Sequence, residues 1–118
     1  ANAASVDGKT IKVDDNISMV FKKGGAGTAP AYYESGSAIR MYQNGATLDV
    51  KAVSGKTITS IKLIFANSQY YLKADSGTLS AEADTRTWTG SANAVKFTST
   101  GTDKNHRAYI SAIEVTYK

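Results

Sequence analysis

Alternation of apolar and polar residues at every second position is the feature that most limits how this chain can fold. Val95 and Phe97 alternate with Lys96 and Thr98, and Ile113, Val115 and Tyr117 alternate with Glu114 and Thr116. A β-strand with one buried face requires that period, because its successive side chains point to opposite faces. Gly101 to His106 separates the two runs, carries no apolar periodicity and reads as a surface loop. Trp88, the single tryptophan, stands at the entrance to this stretch.

The same pattern recurs upstream. Thr10 to Val13 is a short strand stopped by Asp14-Asp15-Asn16, and Ile17, Met19 and Phe21 mark a second. Lys23 to Pro30 is a glycine-rich loop, but it lacks the Lys-Ser/Thr and the following helix that a phosphate cradle needs. Ile39 and Met41 precede Leu48, Val50 and Ala52, and Asn44-Gly45 between them signals a hairpin. Ile58 to Phe65 and Ile110 to Tyr117 share one spacing, in which a small polar step separates a lone Ile from an alternating run. That step predicts a bulge or bend at the start of each strand, and the pair is expected as equivalent central strands in the two halves of a sandwich. Asn67-Ser68-Gln69 is expected as a turn, Thr78 to Ser80 as a short strand, and Ala81 to Arg86 as a single helical turn. About seven to ten short strands with polar turns predict an all-β chain, an antiparallel β-sandwich of two sheets, jelly-roll-like.

A length of 118 residues fits one domain with a real core. Residues 1–5 are expected as a linker remnant and 6–118 as the module. Without cysteine there is neither a disulfide framework nor a thiolate metal site. No apolar run approaches the length needed to cross a bilayer. The formal net charge is +4, with a sequence pI near 9.3. The lysines are scattered and most sit one residue from an apolar strand position. That predicts a solvated outer sheet face rather than a nucleic-acid patch.

Five pieces in fixed order carry a family resemblance: Gly27-Thr28-Ala29-Pro30-Ala31-Tyr32-Tyr33, Ser37-Ala38-Ile39-Arg40-Met41-Tyr42, Ile58-Thr59-Ser60-Ile61, Trp88-Thr89-Gly90-Ser91-Ala92-Asn93 and Ile113-Glu114-Val115-Thr116-Tyr117. From about Ile17 to the end, the chain resembles β-sandwich accessory modules of secreted multimodular proteins from gut and rumen bacteria. In overall plan these are similar to jelly-roll carbohydrate-binding modules. The resemblance implies a secreted or cell-surface, non-catalytic module appended to a glycan-degrading enzyme or a cell-surface protein.

Catalytic equipment is sparse. His106, the one histidine, lies in a loop between Lys104 and Arg107, and no two carboxylates can be paired from spacing for glycoside hydrolysis. Sugar binding asks for less, namely aromatic rings to stack on pyranose faces and polar groups to meet hydroxyls. Phe21, Phe65, Phe97 and Tyr117 alternate with aliphatics and are expected in the core. Trp88, Tyr32, Tyr33, Tyr70 and Tyr71 lie beside polar residues and are candidate stacking rings, one of each Tyr pair pointing outward. Arg40, Tyr42, Gln69 and Asn93 are candidate partners for hydroxyls, with Arg40 and Tyr42 sharing an outward face. Trp88 has a second reading as a plug at one end of the core. Asp14, Asp15 and Asn16 are candidate ligands for a structural Ca²⁺, against an ordinary Asx turn. Function is therefore expected as binding of plant-type polysaccharide, of β-glucan or cellulose kind. A structural or adhesive module, binding protein or spacing domains, is the alternative.

Overall fold

The computed structural model describes residues 3–33, 37–80 and 84–118, and for residues 3, 4 and 67–70 it describes the backbone alone. The described strands are Ala3–Ser5 (β1), Thr10–Lys12 (β2), Ile17–Lys22 (β3), Ala31–Tyr33 (β4), Ala38–Met41 (β5), Thr47–Ala52 (β6), Ile58–Tyr70 (β7), Leu72–Ala74 (β8), Thr78–Leu79 (β9), Thr85–Ala92 (β10), Ala94–Ser99 (β11) and Ala108–Tyr117 (β12). No helix occurs among the described residues. The strands form a seven-stranded sheet in the order β1-β4-β5-β12-β7-β10-β9 and a five-stranded sheet in the order β2-β3-β6-β11-β8. Every ladder is antiparallel. The protein is an antiparallel β-sandwich whose chain changes sheet at most of its connections, a winding of the jelly-roll type.

The alternation seen in the sequence is spent on the space between the sheets. Phe21, Leu48, Val50 and Phe97 point inward from the smaller sheet, and Met41, Ile58, Ile61, Leu63 and Trp88 from the larger, all with no exposed surface. Phe65 is buried as expected, whereas Tyr117 is half-buried at one end.

Several expectations are corrected. Of the residues expected as a linker remnant, Ala3–Ser5 adds an outer strand on β4, and residues 1 and 2 lie outside the described residues. Asn44-Gly45 does not close a hairpin: β5 belongs to the larger sheet and β6 to the smaller, so the turn is a corner between them. Its positive φ angles, 70° and 107°, are those of a tight reversal. The turn's backbone is used elsewhere, with Asn44 N–H donating to the Gly101 carbonyl and the Gly45 carbonyl accepting from Gly25 N–H. The stretch expected as a turn at Asn67-Ser68-Gln69 is an irregularity inside β7, where four residues stand against one of β12. Of the expected helical turn, residues 81–83 lie outside the described residues, and Thr85 and Arg86 already belong to β10.

The repeated Ile-x-x-Ile spacing has a different meaning from the one expected. β7 and β12 are not counterparts in opposite halves; they are neighbours in one sheet. The bulges are there. Thr59 is the extra residue of β7 between Ile58 and Ser60, and Ser111 the extra residue of β12 between Ile110 and Ala112. Each bulged hydroxyl donates across to the other strand, Thr59 Oγ1 to the Thr116 carbonyl at 3.2 Å and Ser111 Oγ to the Ile64 carbonyl at 3.1 Å. The antiparallel pair thus carries the same device at both ends, which explains why one spacing occurs twice.

Candidate functional site

Strands β4, β5 and β12 lie side by side, and their register brings one group of polar aromatics together on the outer face of the larger sheet. Arg40 is directly opposite Ala31 on β4 and Tyr109 on β12, and Tyr33 is opposite Ala38. The small side chains of Ala31 and Ala38 are buried on that face, which leaves room for the guanidinium to lie over rings. Arg40 Cζ is 4.0 Å from the Tyr33 ring centroid, 4.7 Å from that of Tyr109 and 5.6 Å from that of Tyr42. Arg107 Cζ lies 4.5 Å from the Tyr42 ring, and its Nε donates to Gln43 Oε1 at 2.7 Å. Stacking of guanidinium on aromatic faces is a geometry that lysine cannot reproduce.

The polar atoms of this cluster are tied to one another. Tyr33 and Tyr42 share a hydroxyl–hydroxyl hydrogen bond, and Arg40 Nη1 donates to the Tyr42 hydroxyl at 3.4 Å. Burial works to raise the Tyr42 hydroxyl, but the bond from Tyr33 and the two guanidiniums outweigh it and hold the group below its ordinary value of 10.0. The bond to Tyr42, followed by desolvation, pushes Tyr33 upward. Arg40 Nε is buried without a hydrogen-bond partner. Tyr33, Arg40, Gln43, Arg107 and Tyr109 are half-buried, so the cluster keeps guanidinium, phenol and amide groups at the surface. Such groups can meet hydroxyls or carboxylates.

Of the residues marked from sequence, Arg40, Tyr33 and Tyr42 come together here, and the shared face of Arg40 and Tyr42 is found. Tyr42 itself is 8 % exposed. Tyr109, Arg107 and Gln43 were missed. The signal for Tyr109 was its position one step before core Ile110, which places its ring outward beside Arg40.

Trp88 is the main correction. It sits mid-strand in β10 opposite Ile61 and is wholly buried, so it is no stacking platform. Its Nε1 donates to the Ser76 carbonyl at 2.6 Å, which satisfies the one polar atom of a buried indole. Asn93 is also structural, because its Nδ2 donates to the carbonyls of Ala52, Val53 and Lys56 at 3.1 to 3.2 Å and pins the loop between β6 and β7. In the first Tyr pair alternation holds but exposure is inverted. Tyr32 points between the sheets, yet it is 40 % exposed because β4 lies near the sheet edge. There it lines an apolar cleft of about 110 Å³ with Met19, Phe21, Ile39 and Ile110. Tyr71 packs edge-on against His106, with ring centroids 4.7 Å apart. The side chains of Gln69 and Tyr70 lie outside the described residues.

Asp14, Asp15 and Asn16 form an Asx turn rather than a converging ligand set. Asp14 Oδ1 accepts from the N–H groups of Asn16 and Ile17 at 2.7 and 2.8 Å, and Oδ2 accepts from the Tyr117 hydroxyl at 3.0 Å. Asp15 lies 3.9 Å from Lys12 Nζ instead. Among the described residues, no group of three or more His, Cys, Asp or Glu side chains is placed to hold a metal ion. His106 Nδ1 lies 2.6 Å from Asp103 Oδ1, within one exposed loop. Comparison of the chain with family models, curated proteins and solved structures gives no match.

Proposed function

We propose that this chain is a non-catalytic glycan-binding module, which holds an attached catalytic domain close to plant-type polysaccharide of the β-glucan kind outside the cell. The observation that supports the reading is the layer of Tyr33, Arg40 and Tyr109, edged by Tyr42 and Arg107, over the small side chains of Ala31 and Ala38. Rings supply apolar faces for pyranose C–H groups, and guanidinium and phenol groups supply directional bonds to hydroxyls. The site differs from the one expected from sequence, since Trp88 has left it and Tyr109 has joined it.

Affinity electrophoresis of the whole chain against neutral glycans (β-glucan, xylan and mannan) tests the reading. Retardation by at least one, weakened in Tyr109→Ala at unchanged melting temperature, supports it. Absence of retardation by all of them overturns it. A structural or adhesive module is the second reading, and the complete burial of Trp88 together with the near-complete burial of Tyr42 favours it. That reading gains if no glycan binds while the fold is intact.

A further inference from the structure

The lysines that are scattered along the sequence are gathered by the fold. On the outer face of the five-stranded sheet, the registers set out three rows. Lys12, Ser18, Lys51 and Ala94 form one, Thr10, Val20, Asp49 and Lys96 the next, and Lys22, Thr47, Thr98 and Lys73 the third. All five lysines are exposed, and each alternates with inward residues such as Phe21, Val50 and Phe97. Five cations face one carboxylate, an excess of four that equals the formal +4 of the whole chain. The remainder of the molecule is balanced.

The arrangement is a spaced field rather than a cluster. No lysine lies directly across from another; Ser18 separates Lys12 from Lys51, about 10 Å apart over two strand spacings. Of these five lysines only Lys12 has an ion pair among the described residues, at 3.9 Å with exposed Asp15 on the rim. Asp75 is the other acid at the border, where its Oδ1 accepts from the Lys96 N–H. A shallow depression of about 350 Å³ crosses the face, lined by Thr10, Ser18, Val20, Lys22, Asp49 and Lys51. It offers hydroxyls and one acceptor carboxylate between cations.

From this geometry we propose that the outer face of the five-stranded sheet is a second binding surface, one that takes an acidic polysaccharide of the polyuronate class. Regularly carried carboxylates would meet the spaced ammonium groups, and Ser, Thr and Asp49 would meet the hydroxyls between them. The face carries no aromatic ring and no arginine. It therefore lacks the stacking platform of a single-strand binder and the bidentate groups that read base edges. A bilayer is a poorer occupant still, because Val20 is the largest apolar side chain of the face and it is half-buried.

The test measures binding of the whole chain to polygalacturonate, neutral β-glucan, random duplex DNA and phosphatidylserine vesicles, at about 0.05 M and about 0.5 M salt. The lysine face predicts binding to polygalacturonate that falls by about tenfold or more at high salt. It predicts a further loss of about tenfold in the triple variant Lys12→Gln, Lys51→Gln, Lys96→Gln, whose exposed sites leave the melting temperature unchanged. Tyr109→Ala, on the opposite sheet, leaves polygalacturonate binding intact. Equal or tighter binding to DNA or vesicles overturns the proposal, as does polygalacturonate binding that the triple variant does not weaken. A chain that retains polygalacturonate but no neutral glycan supports the lysine face and removes the aromatic-face reading. The reverse pattern, neutral glycan bound through Tyr109 and no polygalacturonate, removes the lysine face alone.

Discussion

The indole N–H of Trp88 donates to the carbonyl of Ser76 at 2.6 Å, across a turn that only glycine fits. Gly77 has φ +66°, and a Cβ there would lie 2.6 Å from Trp88 Nε1 and from the Thr89 carbonyl. A Cβ on Gly90 would lie 2.7 Å from Trp88 Cζ2. The ring is held between two glycine backbones in the core. Trp88→Ala is expected to cost about 3–5 kcal/mol of stability, measured by urea denaturation. Gly77→Ala is expected to destabilise as well. A Trp88→Ala protein with full stability and lost glycan binding would return Trp88 to the site.

Asn93 makes the complementary case. Removal of its amide leaves three carbonyls, one at the end of β6 and two in the loop after it, without this donor, so Asn93→Ala is expected to cost roughly 1–2 kcal/mol. Thermal melting reads the loss, and binding of any glycan is expected to be unchanged at temperatures where the variant is folded. Weakened binding with normal melting would make Asn93 a ligand contact after all.

The corner between the sheets depends on close backbone approach. A Cβ at Gly24, where φ is +54°, would come within 2.2 Å of the Gly45 carbonyl oxygen. Gly24→Ala is expected to cost about 2 kcal/mol or more, while Gly27→Ala, with open space around it, is expected to be nearly neutral. Equal melting temperatures for the two variants would show that the corner yields easily.

Acid should weaken the fold in a defined window. The N–H of Asn16, then the Tyr117 hydroxyl and the Ile17 N–H, hold the Asp14 carboxyl below its ordinary value of 3.8 against a smaller opposing desolvation. The bond with His106, then the Asn105 N–H, does the same for Asp103. A carboxyl with a depressed folded value stabilises the protein above its unfolded value, and that contribution is lost as pH falls through the folded one. Stability is therefore expected to drop as pH goes below about 4, and the drop should be shallower in Asp14→Asn combined with Asp103→Asn. Unfolding midpoints collected between about pH 2 and 6 give the comparison; parallel curves for parent and variant would count against these two groups.

The aromatic layer can be tested by chemistry as well as by deletion. Arg40→Lys keeps the charge but loses the planar stack between Tyr33 and Tyr109. Binding of a retained glycan is expected to fall about fivefold, in line with about 1 kcal/mol for a lost stacked contact. Isothermal titration of parent and variant measures it, and equal affinities would place the ligand elsewhere.

Much of the fold was legible because strand formation is local. The period-2 runs at Ile17 to Phe21, Leu48 to Ala52 and Val95 to Phe97 name their own inward residues, all buried except half-buried Met19, whereas Ile113, Val115 and Tyr117 face inward but are only half-buried. The bulges at Thr59 and Ser111 were readable too, because an extra residue breaks the alternation in the sequence itself. The candidate site was legible only in part. Arg40 and Tyr42 announced a shared face by their spacing, whereas Tyr109 enters through pairing across 69 positions of chain, which no local pattern encodes.

What the sequence determined by itself is therefore the class: strands, the faces they bury and the turns that need glycine. Tertiary structure alone decided which strands are neighbours, and with that every question of function. Asn44-Gly45 has the backbone of a hairpin turn, but β5 and β6 go to different sheets because other strands take their edges. Trp88 sits beside polar residues in sequence and within the core in space, because the direction a side chain points is local while what lies opposite it is not. The same pairing gathers five distant lysines onto one face, and the field they make exists only when the sheet does.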